Sequence, residues 1–201
     1  MSGADGRHRR DWGESGALFV AATLFAILQE RYTIGPPVTK WILGGLVAAM
    51  CLLSVISTIV GDRRALRAVM TAGAALMAAG VALSLIKLVT LVVYHATSIE
   101  AIPLLQTAVL IWVGDVVVFA TIYHVVGDRE FAFPRAEGQP ANHAMHFLDY
   151  VFLSFTTATA FSPTDTSPLT TRARMLMMVE SIISLVVIAI AAARAINILP
   201  T

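Results

Sequence analysis

The sequence predicts an all-α fold that crosses a lipid bilayer several times, and three observations predict it. Hydrophobic residues make up 57% of the 201 while only 13% are charged, and the mean hydropathy is +0.77, far from the composition of soluble domains. The apolar residues gather into four long runs, each supplying the ~20 residues that a helix rising 1.5 Å per residue needs to cross the hydrocarbon core. The last third of the chain then changes pattern: a short apolar stretch, a polar loop and one more spanning stretch.

Residues 1–14 are polar, carry Arg7, Arg9 and Arg10, and form a tail with no core of its own. Residues 15–126 hold the four spans. The first runs from about Glu14 to Ile34 and meets the turn signal Gly35-Pro36-Pro37; the second runs from Pro37 to Val60 and stops at Gly61-Asp62-Arg63-Arg64. A third extends from about Leu66 to Tyr94 and a fourth from Ala101 to Val126. The basic start and the Gly16–Leu28 run imitate a signal peptide, but Gln29-Glu30-Arg31 stands where small residues would mark cleavage, which favours a retained span. Trp41, Trp112, Tyr32, Tyr94 and Tyr123 are expected near segment ends, where aromatic side chains meet the headgroups. Residues 127–145 are charged, contain Pro134 and Pro140, and form a loop longer than a compact protein keeps without a use.

Residues 146–201 make up a separate module. Phe147 to Phe161 is apolar but too short to cross, Ser162 to Thr171 is rich in Ser, Thr and Pro, and Met175 to Pro200 is long enough to cross. A short helix, a polar loop and a spanning helix in this order describe a re-entrant loop. The loop reads Thr157-Ala158-Thr159-Ala160-Phe161-Ser162-Pro163-Thr164-Asp165, followed by Pro168, Thr170 and Arg174. This stretch resembles the potassium channel pore, in which a pore helix ends in T-x-T-T-V-G-Y-G-D and is followed by x-x-P-x-T-x-x-x-R and the inner helix. Thr157, Ala158 and Thr159 fall on the end of the pore helix, Asp165 on the aspartate after the filter, and Arg174 on the inner-helix arginine. Together with Asp149-Tyr150 and Ala193-Arg194-Ala195-Ile196-Asn197, the stretch also looks like a bacterial membrane family with a Phe-Ser-Pro-Thr-Asp loop.

The resemblance implies a pore helix, a filter-like loop (Thr157, Thr159, Ala160, Phe161, Ser162, Pro163, Thr164 and Asp165) and an inner helix around a symmetric axis. The loop departs from a potassium filter where it matters. The two filter glycines, which accept positive φ, are replaced by Ser162 and Thr164, and Pro163 removes a backbone N–H. A stack of potassium-selective carbonyls is not expected; hydroxyls, with Asp165 at one mouth, would attract cations with weak selectivity. The last helix also lacks a hinge glycine, since no Gly follows Thr171. The plainer reading of the same loop is a cap on a helical bundle, with Asp165 capping the final helix.

Charges inside spans are costly and face protein or water, so each is a functional candidate. Glu180 is the expected pore-lining acid of the last helix, Asp115 the expected hydrogen-bonding partner of a neighbouring helix, and Arg194 lies late in the last span. Lys87 is expected to reach toward the interface. His143, His146 and Asp149 fall at i, i+3 and i+6, but with no fourth ligand an amphipathic turn is favoured over a metal site. Cys51 is single and sits in an apolar run as a packing residue. No metal or cofactor is expected. A net charge of +1 without a basic face argues against nucleic acid, and no nucleophile–base pair or phosphate loop points to an enzyme.

The expected protein is therefore a multi-pass protein of a bacterial inner membrane: four helices, a re-entrant pore helix and loop, and a final helix. One pore loop per chain calls for about four copies around an axis, so its partners would be itself as a homotetramer, the lipid bilayer and monovalent cations. A non-conducting scaffold that uses the same hairpin for assembly is the alternative. Orientation is the point of tension with the resemblance. Arg7, Arg9 and Arg10, and then Arg63, Arg64 and Arg67, place the N-terminus and the 61–67 loop in the cytoplasm. Five spans from that start put the 127–174 loop in the cytoplasm, the reverse of a potassium channel; either the first segment does not span or the pore loop is inverted as in glutamate-gated channels, and the agreement of two arginine clusters favours inversion.

Overall fold

The computed structural model describes residues 63–94, 101–134, 145–160 and 166–196, with residues 49, 52–53, 55–56 and 59–60 in helical conformation before them. The tail, the first expected span, most of the second, Cys51, His143 and the filter-like residues Phe161, Ser162, Pro163, Thr164 and Asp165 lie outside the described residues. What is described is almost wholly helical. Helix α1 covers Arg63–Tyr94, α2 Ala101–Val126, α3 Phe147–Ala158 and α4 Thr171–Ile196, with a 3-10 turn at Asp128–Glu130 and two-residue strands β1 (Phe131–Ala132) and β2 (Ser167–Pro168). Of these, α1, α2 and α4 are long and apolar enough to cross a membrane. Their outward faces carry Leu83, Ile86, Val109, Ile182 and Leu185 in the open. The chain is a membrane protein, because in water such faces would be covered.

The centre of the bundle is α2, which packs against α1, α3 and α4. Between Gly114 and Tyr123 it is buried on nearly every side, as expected of a helix that is apolar all round. On α1 the buried residues Leu66, Met70, Ala74, Met77 and Val81 recur every three or four positions, tracing one stripe against α2. The other face of α1, with Leu83, Ile86 and Val93, is exposed. Pro103 falls in the first turn of α2, where its missing N–H costs nothing. The twelve residues of α3 rise only about 18 Å, too little to cross.

Two boundaries differ from the sequence expectation, each for a local reason. Helix α3 stops at Ala158, short of Phe161, because Ala160 turns to a φ of 57°, the left-handed conformation that ends helices. Helix α4 starts at Thr171, four residues before Met175, because Thr170 caps it: the Ala173 N–H donates to Thr170 Oγ1 at 3.2 Å. Thr170 is thus the cap among the described residues, and the expected cap Asp165 lies outside them. The charged loop after α2 is also more structured than its composition suggests. Gly127, at φ 99°, accepts the left-handed turn that terminates α2, and its N–H donates to the Tyr123 carbonyl at 3.0 Å.

β1 then pairs antiparallel with β2, Phe131 opposite Pro168 and Ala132 opposite Ser167. The Leu169 N–H donates to the Glu130 carbonyl at 2.9 Å, and the Thr170 hydroxyl donates to the Glu130 carboxylate. This clasp ties the end of α2 to the start of α4. An aromatic layer lies under it, with Tyr123 and Phe131 centred 5.1 Å apart and Phe133 and Tyr150 5.2 Å apart, both edge to face.

Candidate functional site

The site forms where α2, α3 and α4 meet, and spacing explains why these side chains converge. On α2, Asp115 and Tyr123 are eight residues apart and share a face; on α4, Glu180 and Ser184 are four apart; on α3, Ser154 and Thr157 are three apart. All six are buried, and Asp115, Tyr123, Ser154, Glu180 and Ser184 are 0% exposed.

Glu180 is held at both oxygens. The Tyr123 hydroxyl donates to Oε2, and Ser154 Oγ lies within hydrogen-bonding distance of Oε1. Ser154 Oγ also lies 2.8 Å from the Val116 carbonyl oxygen of α2. Asp115 is held at one oxygen only: the Ser184 hydroxyl donates to Oδ2 at 2.7 Å, while buried Oδ1 has no hydrogen-bond partner among the described residues. No lysine, arginine or histidine is among the fully buried described residues. Two carboxyl groups thus sit inside an apolar bundle with three hydroxyls around them. An uncompensated ion there would be costly, so hydroxyls and protons have to carry the compensation.

The structure brings Asp115, Glu180 and Thr157 together and leaves the other candidates apart. Glu180 occupies the face of α4 that meets α2 and α3, not the exposed apolar face marked by Met178, Ile182 and Leu185. Arg194 is half-buried in the last turn of α4. Thr157 Oγ1 donates to the Leu153 carbonyl and Thr159 Oγ1 to the Phe155 carbonyl, each at 2.8 Å, so both hydroxyl protons serve the backbone of α3. Ala160 is exposed at the turn that follows. His146 and Asp149 meet as a helix start: the His146 N–H donates to the Asp149 carboxylate at 2.7 Å.

Three members of the site, Tyr123, Ser154 and Ser184, escape the sequence reading. Tyr123, three residues from the end of α2, is expected at the interface, yet it is fully buried with its hydroxyl on Glu180. Trp112 is likewise not at a segment end: it lies mid-helix with its ring 5.7 Å from that of Phe155. Ser154 and Ser184 carry no signal of their own; only their spacing from other polar residues on one helix face could have pointed to them.

No family model matches the chain, and no curated protein and no solved structure is significantly similar to it.

Proposed function

We propose that the chain assembles with copies of itself into a weakly selective cation-permeation pore. In this reading four spanning helices precede a re-entrant pore helix, α3, and α4 is the inner helix; the protein resides in a bacterial inner membrane and about four copies surround the axis. The observation that carries the reading is α3 itself. It is a twelve-residue helix too short to span, packed against two spanning helices, and it keeps Leu148, Phe152 and Phe155 exposed. A short apolar helix at membrane depth is tolerated where protein encloses it, so its open face calls for a neighbouring copy. The clasp between β1 and β2 supports the same reading, because it fixes the far end of the loop that returns from α3 to α4.

The weak selectivity follows from Ser162, Pro163 and Thr164, which do not supply the carbonyl stack that strips a potassium ion of its water. The test is bilayer recording of purified protein under potassium and sodium gradients, together with its oligomeric state in lipid. We expect cation currents with a reversal potential that hardly distinguishes potassium from sodium. Asp165→Asn should lower conductance, most at low salt, where a Debye length of ~30 Å at 0.01 M leaves the ring of charge unscreened. Strong potassium preference overturns the filter argument, and a monomer in lipid overturns the pore.

A second reading is a non-conducting scaffold that uses the hairpin for assembly. The engagement of Glu180 within its own chain favours it, since the only acidic residue of α4 then offers no charge to an axis. An assembled protein that stays silent across voltages and pH decides for this second reading.

A further inference from the structure

We propose that Asp115 and Glu180 form a proton-binding site inside the helix bundle, in which Glu180 carries a proton donated to Ser154 Oγ and Asp115 Oδ1 is the open position that takes up or releases a proton. The first half rests on counting protons. Three polar contacts share two hydroxyls: Tyr123 with Glu180 Oε2, Ser154 with Glu180 Oε1, and Ser154 with the Val116 carbonyl. Each hydroxyl owns one proton, and a backbone carbonyl only accepts. If Ser154 donates to Val116, its contact with Glu180 needs a proton from Glu180. The chain then runs from the Glu180 carboxylic acid to Ser154 Oγ to the Val116 carbonyl, with Tyr123 donating to the other carboxyl oxygen. Every proton in it has an acceptor.

The second half rests on Asp115 Oδ1, the one oxygen of the four carboxyl oxygens with no partner. It is fully buried, on a helix that also carries Val116. An oxygen in that position is completed by a proton or by a small cation, and the apolar surroundings favour the species without a hydration shell to lose. The groups in contact with the pair are hydroxyls. From α2 comes Tyr123, from α3 Ser154 with Thr157 buried beside it, and from α4 Ser184; of the basic groups on the neighbouring helices, His124 is half-buried in edge contact with Tyr150 at 5.1 Å and Lys87 is half-buried within α1. The acids of the periphery are engaged elsewhere, Glu130 with Thr170 and Asp149 with the start of α3.

The site does not depend on conduction or on the number of copies, so its test stands apart from that of the pore. Infrared difference spectra of the purified protein in lipid nanodiscs, taken as pH is stepped with potassium fixed, read the carbonyl stretch of protonated carboxyls directly. We expect a protonated-carboxyl band at neutral pH that is lost in Glu180→Gln and moved in frequency in Ser154→Ala, because the acid loses its acceptor. In Asp115→Asn the Glu180 band should persist while the pH-dependent component disappears. If Glu180→Gln does not fold, as judged by circular dichroism, the Ser154→Ala shift decides alone. Absence of any protonated-carboxyl band at neutral pH, a band indifferent to Glu180→Gln or to Ser154→Ala, or a band that responds to sodium or potassium at fixed pH overturns the proposal; the last outcome would make the occupant a metal cation.

Discussion

Ser184 is the only hydrogen-bond donor to Asp115 among the described residues, and it reaches across from α4 to α2 at 2.7 Å. Removing it strands a second oxygen of a group that already has one bare, and a buried polar atom without a partner costs about 1–3 kcal/mol. Ser184→Ala should therefore lower the unfolding temperature in detergent, and the doubly substituted Ser184→Ala/Asp115→Asn protein should recover part of the loss. The recovery is the diagnostic part, since a pure packing defect at Ser184 would persist whichever residue stands at 115. Thermal melts of the two single variants and the double variant check it. The residue scale is also where the sequence was least legible. Asp115 and Glu180 stand out because acids are rare in spans, whereas the hydroxyls that hold them are ordinary members of apolar helices. Which hydroxyl reaches which acid depends on how α2, α3 and α4 rotate against one another, and no single helix encodes that.

Among the elements, the clasp between β1 and β2 depends on two groups of Glu130, its carbonyl and its carboxylate, which hold Leu169 and Thr170. Thr170 acts twice, as donor to Glu130 and as cap of α4. Thr170→Val keeps the shape but removes both functions, so it should cost about 0.5–2 kcal/mol, the range for a lost helix cap. Glu130→Gln should cost less than Thr170→Val, because the backbone bond from Leu169 and the cap both survive it. Hydrogen exchange should show the difference locally: faster exchange at the Ala173 amide in Thr170→Val and near-native protection there in Glu130→Gln. Equal exchange in the two variants would refute the division of labour. The long elements were legible from the sequence because length and hydropathy alone define them; the Ala101 and Val126 limits of α2 coincide with the expected run. The clasp was not, because two-residue strands carry no periodicity and their partners are separated by a whole helix.

For the whole molecule, the arrangement turns on α2, since it touches α1, α3 and α4 alike. If it crosses the bilayer once, the segments on its two sides emerge on opposite faces. Which face is which follows from the arginines. Arg63, Arg64 and Arg67 lie at the start of α1, and basic residues next to short loops are retained in the cytoplasm. The expected outcome is that α1 runs outward, α2 returns, and the clasp with the start of α4 faces the cytoplasm. Single cysteines at Ser98 and at Gln139, each in a Cys51→Ser background, report both statements at once. A membrane-impermeant thiol reagent added to intact cells should label position 98 and spare 139, while inverted vesicles should show the opposite. Labelling of both positions from outside would mean that α2 does not cross. Labelling of 139 but not 98 from outside would restore the channel orientation and put Asp165 at an outer mouth, leaving the Asp115–Glu180 pair and its hydroxyls unchanged within the bundle.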